Sequence, residues 1–247
     1  MEVHAHTHTA RKKWTHYFWE FFMLFLAVTL GFFVENQREH YIEHKREKQY
    51  VQSFYEDLTA DESDFQSNIE YLRGQAKIAD SLQMLMKNVT KEQPANRIYM
   101  YLREITRSSA GLLYPNDRTI VQLRNAGGMR LIKNKSVSDS MVGYYRTIDI
   151  IQFLSENAMD NKKSLREKYI PLLHAEDFDK IVDSTSRIIT TPDILYLRNT
   201  DPDLINNCLM EVGRIKSINS TLAIRIRNLK AKAGRIKDFI KQEYRLE

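Results

Sequence analysis

Apolar residues follow two kinds of spacing along this chain. Near the start they are continuous: Phe21 to Val34 carries no charge over fourteen positions, and extending back to Tyr17 adds only Glu20. Beyond Asn36 they recur at helical spacing. Val51, Phe54, Leu58, Phe65, Ile69, Leu72, Ala76, Ala79, Leu82 and Met86 are separated by steps of 3, 4, 7, 4, 3, 4, 3, 3 and 4. Such steps keep one face of a helix apolar. The pattern predicts a long helix over 36–87, with Gly74 as a place to bend or pack closely. Ile215, Ile218, Leu222, Ile226, Leu229, Ala233, Ile236 and Ile240 form a second stripe and predict a long helix over 203–244.

Shorter elements lie between them. Asn96 is positioned to cap a helix over 97–107, with Tyr101, Leu102 and Ile105 facing in. The stretch 108–116 reads as a loop. Asn116 or Asp117 can cap a helix over 118–126, and Gly127-Gly128 ends it by left-handed cap chemistry. Met129 to Ile132 is a short apolar segment. Met141, Tyr144, Ile148 and Ile151 mark a further helix over 137–169. Pro171 and Pro192 bracket a less regular region, and Pro192 argues against a central strand in the β-branched stretch Ile188 to Leu197. The low counts of Gly (8) and Pro (5) also favour long helices. The expected fold is therefore all-α. A transmembrane helix over 17–34 continues into a long helix, and a helical bundle follows within a soluble domain over 35–247. Helices this long, each with one apolar stripe, are stable in water only when the stripe is buried. The two long helices are expected to pack on each other and on the 137–169 helix.

Eighteen helical residues from Tyr17 to Val34 rise about 27 Å, close to the roughly 30 Å hydrocarbon core of a bilayer. Trp14, Tyr17 and Trp19 stand at the N-terminal edge, where amphipathic rings favour the headgroup region. Arg11, Lys12 and Lys13 lie just outside and can meet anionic lipid heads. Glu20 falls near this interface, four residues after His16, and the two can pair on one helix face. A cleaved signal peptide would need a small-residue cleavage site. Val34 is followed instead by Glu35, Asn36, Gln37 and Arg38. An interfacial amphipathic helix would need a polar face, which Phe21 to Val34 lacks. These features point to a single-pass protein of the cell (inner) membrane. Lys/Arg tallies on the two sides nearly tie. The N-terminal cluster sits closer to the apolar run, which leans toward a periplasmic soluble domain.

Charge is unevenly placed. The chain carries net +5, and the segment from Met210 to Glu247 holds ten Lys and Arg against four acids. Arg214, Lys216, Arg225, Arg227, Lys230, Lys232, Arg235 and Lys237 can touch nucleic acid or anionic lipid, but the plainer reading is the solvated face of an amphipathic helix. No nucleic-acid partner is expected beside a membrane anchor. One cysteine, Cys208, allows no internal disulfide and reads as a small buried apolar residue.

Candidate chemistry is sparse. His4, His6 and His8 alternate in the polar tail 1–16 and can hold a metal ion, but a terminal tail fixes no geometry for one. His40-Tyr-Ile-Glu-His44 has the spacing of a zinc-binding helix with Glu43 as base, but it lies in a highly charged stretch and lacks a third ligand. No phosphate-binding loop, dinucleotide fingerprint, nucleophile elbow or Glu-x-x-His pair is present. Six of the seven histidines lie in the first 44 residues, leaving His174 alone in the body. No enzyme activity, catalytic residue, cofactor or metal is expected.

Residues 12–44, from Lys-Lys-Trp-Thr-His-Tyr-Phe-Trp-Glu to His-Tyr-Ile-Glu-His, resemble a family of Bacteroidota membrane proteins. The segment Asn125 to Tyr145, with Gly-Gly-Met-Arg-Leu-Ile-Lys-Asn-Lys, is similar to the middle of the same family. The resemblance covers most of the chain. It implies a one-helix anchor and a helical domain, and it brings no catalytic residues.

The expected function is a membrane-anchored helical interaction or scaffold protein that binds membrane lipid and either a partner protein or a second copy of itself. The alternative is a membrane-tethered sensory or small-ligand-binding domain, with Tyr99, Tyr101, Tyr114, Tyr144 and Tyr145 as possible lining. The plainer reading of those tyrosines is core and boundary packing.

Overall fold

The computed structural model describes residues 14–107, 113–125 and 127–246. The His4, His6 and His8 tail and the interface lysines Lys12 and Lys13 lie outside the described residues, as do 108–112 of the expected loop. The protein is all-α: among the described residues there is no strand, only an isolated antiparallel bridge between Val182 and Ile188. In chain order the helices are α1 (Trp14–Met86), α2 (Asn96–Ile105), α3 (Arg118–Asn125), α4 (Lys135–Tyr169), α5 (Ala175–Asp179) and α6 (Pro202–Tyr244). Single 3-10 turns occupy Gly128–Leu131 and Ile170–Leu172. The expected membrane helix and the expected 36–87 helix are thus one element, α1.

The chain divides into two compact units, Met1–Gln49 and Tyr50–Glu247. In the first, the described residues are helical throughout, and the side chains from Phe21 to Val34 are almost all exposed. The second is a bundle. Its three long helices share a core cluster that joins Phe54, Leu58 and Phe65 of α1, Met141 and Tyr144 of α4, and Ile226 and Leu229 of α6.

Helix ends follow local chemistry in part. The Asn134 side chain accepts from the amides of Ser136 and Val137 to start α4, and Asp201 does the same for Asp203 and Leu204 at α6, with Pro202 in the first turn. Gly127 adopts φ +59°, the left-handed conformation that ends a helix, and the chain turns into the 128–131 segment. Asn96 departs from expectation. It is the first residue of α2, and Ala95 occupies the cap position without a side-chain bond. The Asn96 amide instead donates to the Asp193 carbonyl at 2.7 Å and accepts from the Leu195 amide at 3.0 Å. Its hydrogen-bonding capacity ties a loop from the far side of the sequence to the start of α2. On α2 the inward aromatic is Tyr99, fully buried, while Tyr101 is half-buried and meets Arg97.

α1 and α6 run antiparallel with a fixed register. Glu62 lies against Gly234, Gln66 bonds Lys230, Asp80 pairs with Lys216, and Gln83 lies against Gly213. Every step forward along α1 is matched by an equal step back along α6.

Candidate functional site

The apolar part of α1 is long and apolar enough to cross a membrane, and none of its most apolar eighteen-residue window is buried. Bare rings cover it: Phe21 is 66% exposed and Phe32 is 74% exposed. Phe18 stacks on Phe22 and Phe21 on Phe25, contacts between side chains four residues apart on one helix face. Trp14, Tyr17 and Trp19 are exposed at its N-terminal edge. His16 Nε2 lies 3.2 Å from Glu20 Oε1, the pairing expected from their spacing. An exposed apolar surface this large and continuous marks a site of contact with another protein or with lipid.

His40 and His44 lie on an exposed stretch of α1, and His44 Nδ1 is 3.6 Å from Glu47. Among the described residues no three of His, Cys, Asp and Glu gather closely enough to hold a metal ion. Cys208 is buried, and burial pushes its thiol up to about 12.

Inside the bundle, buried polar groups sit where one helix is fastened to another. Asp61 of α1 is fully buried and accepts from the Tyr144 hydroxyl at 2.6 Å, the Asn116 amide at 2.7 Å and the Asn116 side chain at 2.8 Å. Burial raises its carboxyl above the usual aspartate range despite those donors. One turn earlier, Asp57 accepts from the Thr119 amide at 3.1 Å, from the Thr119 hydroxyl and from Arg118 at 3.1 Å. The Thr119 amide in the first turn of α3 is therefore capped by a side chain of α1. The expected local cap contributes through the backbone, since the Asp117 carbonyl accepts from Val121.

The second fastening lies at the C-terminal end of α2. Lys162 of α4 donates to the Arg107 carbonyl at 2.9 Å, and Arg166 donates to the Thr106 carbonyl. Gln75 of α1 donates to Glu104 at 3.2 Å. Cations at the negative end of a helix dipole are favourably placed. Burial, with Arg166 alongside, lowers the Lys162 ammonium to about 8.

These residues belong to a wider arrangement. The bundle has two apolar clusters, and each long helix passes from one to the other over seven residues: Leu72 to Ala79, Ala158 to Leu165 and Ile215 to Leu222. Within each gap lies one buried polar residue, respectively Gln75, Lys162 and Asn219. A polar level thus separates two apolar cores.

The five tyrosines do not gather in one pocket. Tyr99 belongs to one apolar cluster, and Tyr144 and Tyr145 to the other. Tyr114 is 72% exposed. The Tyr99 hydroxyl donates to the Tyr196 carbonyl and accepts from the His174 amide, so it fastens the 170–197 segment.

Compared with profiles of known protein families, with curated proteins and with solved structures, the chain matches none.

Proposed function

We propose that this protein is a single-pass anchor of the cell (inner) membrane whose helical bundle is a non-enzymatic interaction module. The bundle binds a partner protein or a second copy of the chain from the periplasmic side. The observation that carries the reading is the unburied apolar run of α1, which needs lipid around it. The buried ionisable groups support the second half of the proposal. Asp57, Asp61 and Lys162 each hold a neighbouring helix or loop in place, the role of a scaffold interior rather than of a group turned toward a substrate. The likeness of residues 12–44 to membrane proteins of the Bacteroidota is consistent with this reading.

The test has two parts. Washing native membranes with alkaline carbonate should leave the full-length chain in the pellet, and reporters fused at either end should report opposite compartments. Release into the supernatant refutes the anchor. Crosslinking in the same membranes should then trap a dimer or a defined heteromer, whereas recovery of monomer alone refutes the interaction role.

A further inference from the structure

The basic residues of α6 do not share one environment. Lys216 pairs with Asp80 and Lys237 lies 2.8 Å from Glu62, so two cations on one side of the helix are neutralised by acids of α1, and Lys230 between them bonds the neutral Gln66. Arg225, Lys232 and Arg235 lie on a different side, three and seven residues apart along the helix, and face α4 across a cleft of about 300 Å³. No acid pairs with any of the three among the described residues. The Lys232 ammonium donates to the Gly143 carbonyl at 2.6 Å and to the Thr147 hydroxyl at 3.1 Å. Both acceptors are neutral, so the bonds fix the ammonium in position and leave its charge uncompensated. Burial and the adjacent Arg235 hold it below the usual lysine range. Repulsion among clustered cations is a standing cost that a bound anion would remove.

We propose that the cleft between α4 and α6 binds a phosphate-bearing small anion, with Lys232 and Arg235 on one phosphoryl group and Arg225 on a second anionic group of the ligand. Lys232 and Arg235 are about one helical turn apart, within reach of a single phosphate. Arg225 stands seven residues before Lys232, a rise of about 10 Å, which suits a diphosphate or a phosphate ester with another acid. A guanidinium fork matches two phosphate oxygens at once, and a fixed ammonium supplies a point charge beside it. Asn228 adds an amide at the rim, between Arg225 and Lys232. Ile150, 47% exposed at the cleft wall, offers an apolar contact for an organic portion. The volume suits a group of headgroup size. The proposal does not depend on the membrane or partner reading above.

The experiment uses the full-length protein in a nonionic detergent at constant ionic strength set with chloride. Inorganic pyrophosphate, inorganic phosphate and acetate are titrated by calorimetry and by the melting temperature of the helical circular dichroism signal. Pyrophosphate should bind saturably at one site, more tightly than phosphate, and acetate should not bind. Arg225→Ala and Arg235→Ala should each weaken pyrophosphate by about tenfold or more, a loss expected for one charge-assisted contact. Both side chains are exposed, so the unliganded melts should match the parent. Arg227→Ala, at an exposed cation outside the cleft, should change nothing. A second arm places the protein in nanodiscs of phosphatidylcholine with or without phosphatidic acid. Stabilisation by phosphatidic acid that needs Arg225 and Arg235 identifies a lipid phosphomonoester as the source. Binding in the soluble arm alone identifies a free phosphate ester. Equal binding by the Arg225 and Arg235 variants, equal binding of acetate, or no response in either arm overturns the proposal.

Discussion

The phenol of Tyr144 on α4 donates a 2.6 Å hydrogen bond to the carboxylate of Asp61 on α1, and both side chains are fully buried. Asn116 adds two further donors to the same carboxylate, so one residue joins α1, α4 and the segment leading into α3. Asp61→Ala removes the acceptor and strands three donors in the buried interior. The expected loss is about 3 kcal/mol or more, because a buried donor without a partner costs about 1–3 kcal/mol. Asp61→Asn keeps one oxygen and should lose roughly half as much. Urea denaturation of the detergent-solubilised protein, followed by circular dichroism, measures both. Equal midpoints for Asp61→Ala and the parent would show that the network holds nothing.

The pH response of Asp61 runs opposite to that of a typical paired carboxylate. Its folded carboxyl titrates above the ordinary value, so over that window the folded state holds a proton that the unfolded chain has released. Stability from this group is present in acid and is lost as pH rises through the folded value. The margin of the parent over Asp61→Asn should therefore be larger in acid than at neutrality. A margin that grows toward neutrality contradicts the assignment.

Lys162 shifts the other way. Its folded ammonium titrates at about 8, below the ordinary 10.5. Below pH 8 both states are protonated and burial of the charge costs its full amount. Between 8 and 10.5 the unfolded chain keeps the proton and the folded chain does not, so stability rises with pH. Relative to Lys162→Met, the parent should gain about 3 kcal/mol across that interval. Taking the difference cancels the titration of other lysines and tyrosines. A constant gap between parent and variant from pH 7 to 10.5 would rule out a buried titrating lysine.

The period of each long helix was legible in the chain, but its interruptions were not. Along α1 the apolar stripe assigns Ala76 to the core, yet Gln75 is the buried residue and Ala76 is half-buried. Along α6 the stripe assigns Ile218, yet Asn219 is buried and Ile218 only partly so. In both cases an apolar neighbour masks a polar residue on the true inward line, because hydrophobicity is only a proxy for which way a side chain points. A clue does exist at Asp61. The α1 stripe takes one double step, from Leu58 to Phe65, and Asp61 stands in that gap at helical spacing from both. The His16–Glu20 pair was readable because it depends on local spacing alone. The capping of α3 by Asp57 was not, since it joins residues about sixty positions apart, and no local pattern encodes such a pairing.

That long-range cap makes its own prediction. Asp57 accepts from the Thr119 amide and hydroxyl, so Asp57→Ala should cost about 1–2 kcal/mol, the usual range for a lost N-cap. The effect should be local. Hydrogen exchange should accelerate at the amides of Thr119 to Val121 at the start of α3, while exchange across Asp203 to Ile205 at the start of α6 stays as in the parent. Unchanged protection at Thr119 would show that α3 is started by the Asp117 carbonyl alone.

The polar level between the two apolar clusters should be improvable, because two of its members, Gln75 through its side-chain oxygen and Asn219 through its side-chain nitrogen, are poorly satisfied, as is Tyr71 just before the level on α1. The Tyr71 hydroxyl and the Asn219 side-chain nitrogen are buried and have no hydrogen-bond partner among the described residues. Burial is the largest cause of the upward shift of the Tyr71 phenol, with Glu104 adding to it. Tyr71→Phe deletes the stranded hydroxyl without changing the ring, and Asn219→Leu replaces the amide by an apolar group of the same branching. Each should stabilise the bundle by about 1 kcal/mol, the desolvation cost that the substitution removes. Gln75→Leu should behave differently, because Gln75 donates to Glu104 and so ties α2 to α1. Its loss leaves Glu104 without that donor, and stability should fall or stay level. Urea midpoints for the three variants provide the comparison. Destabilisation by Tyr71→Phe would mean that its hydroxyl is satisfied, and the level would then have to be read as a complete hydrogen-bonded network instead of a compromise between packing and polarity.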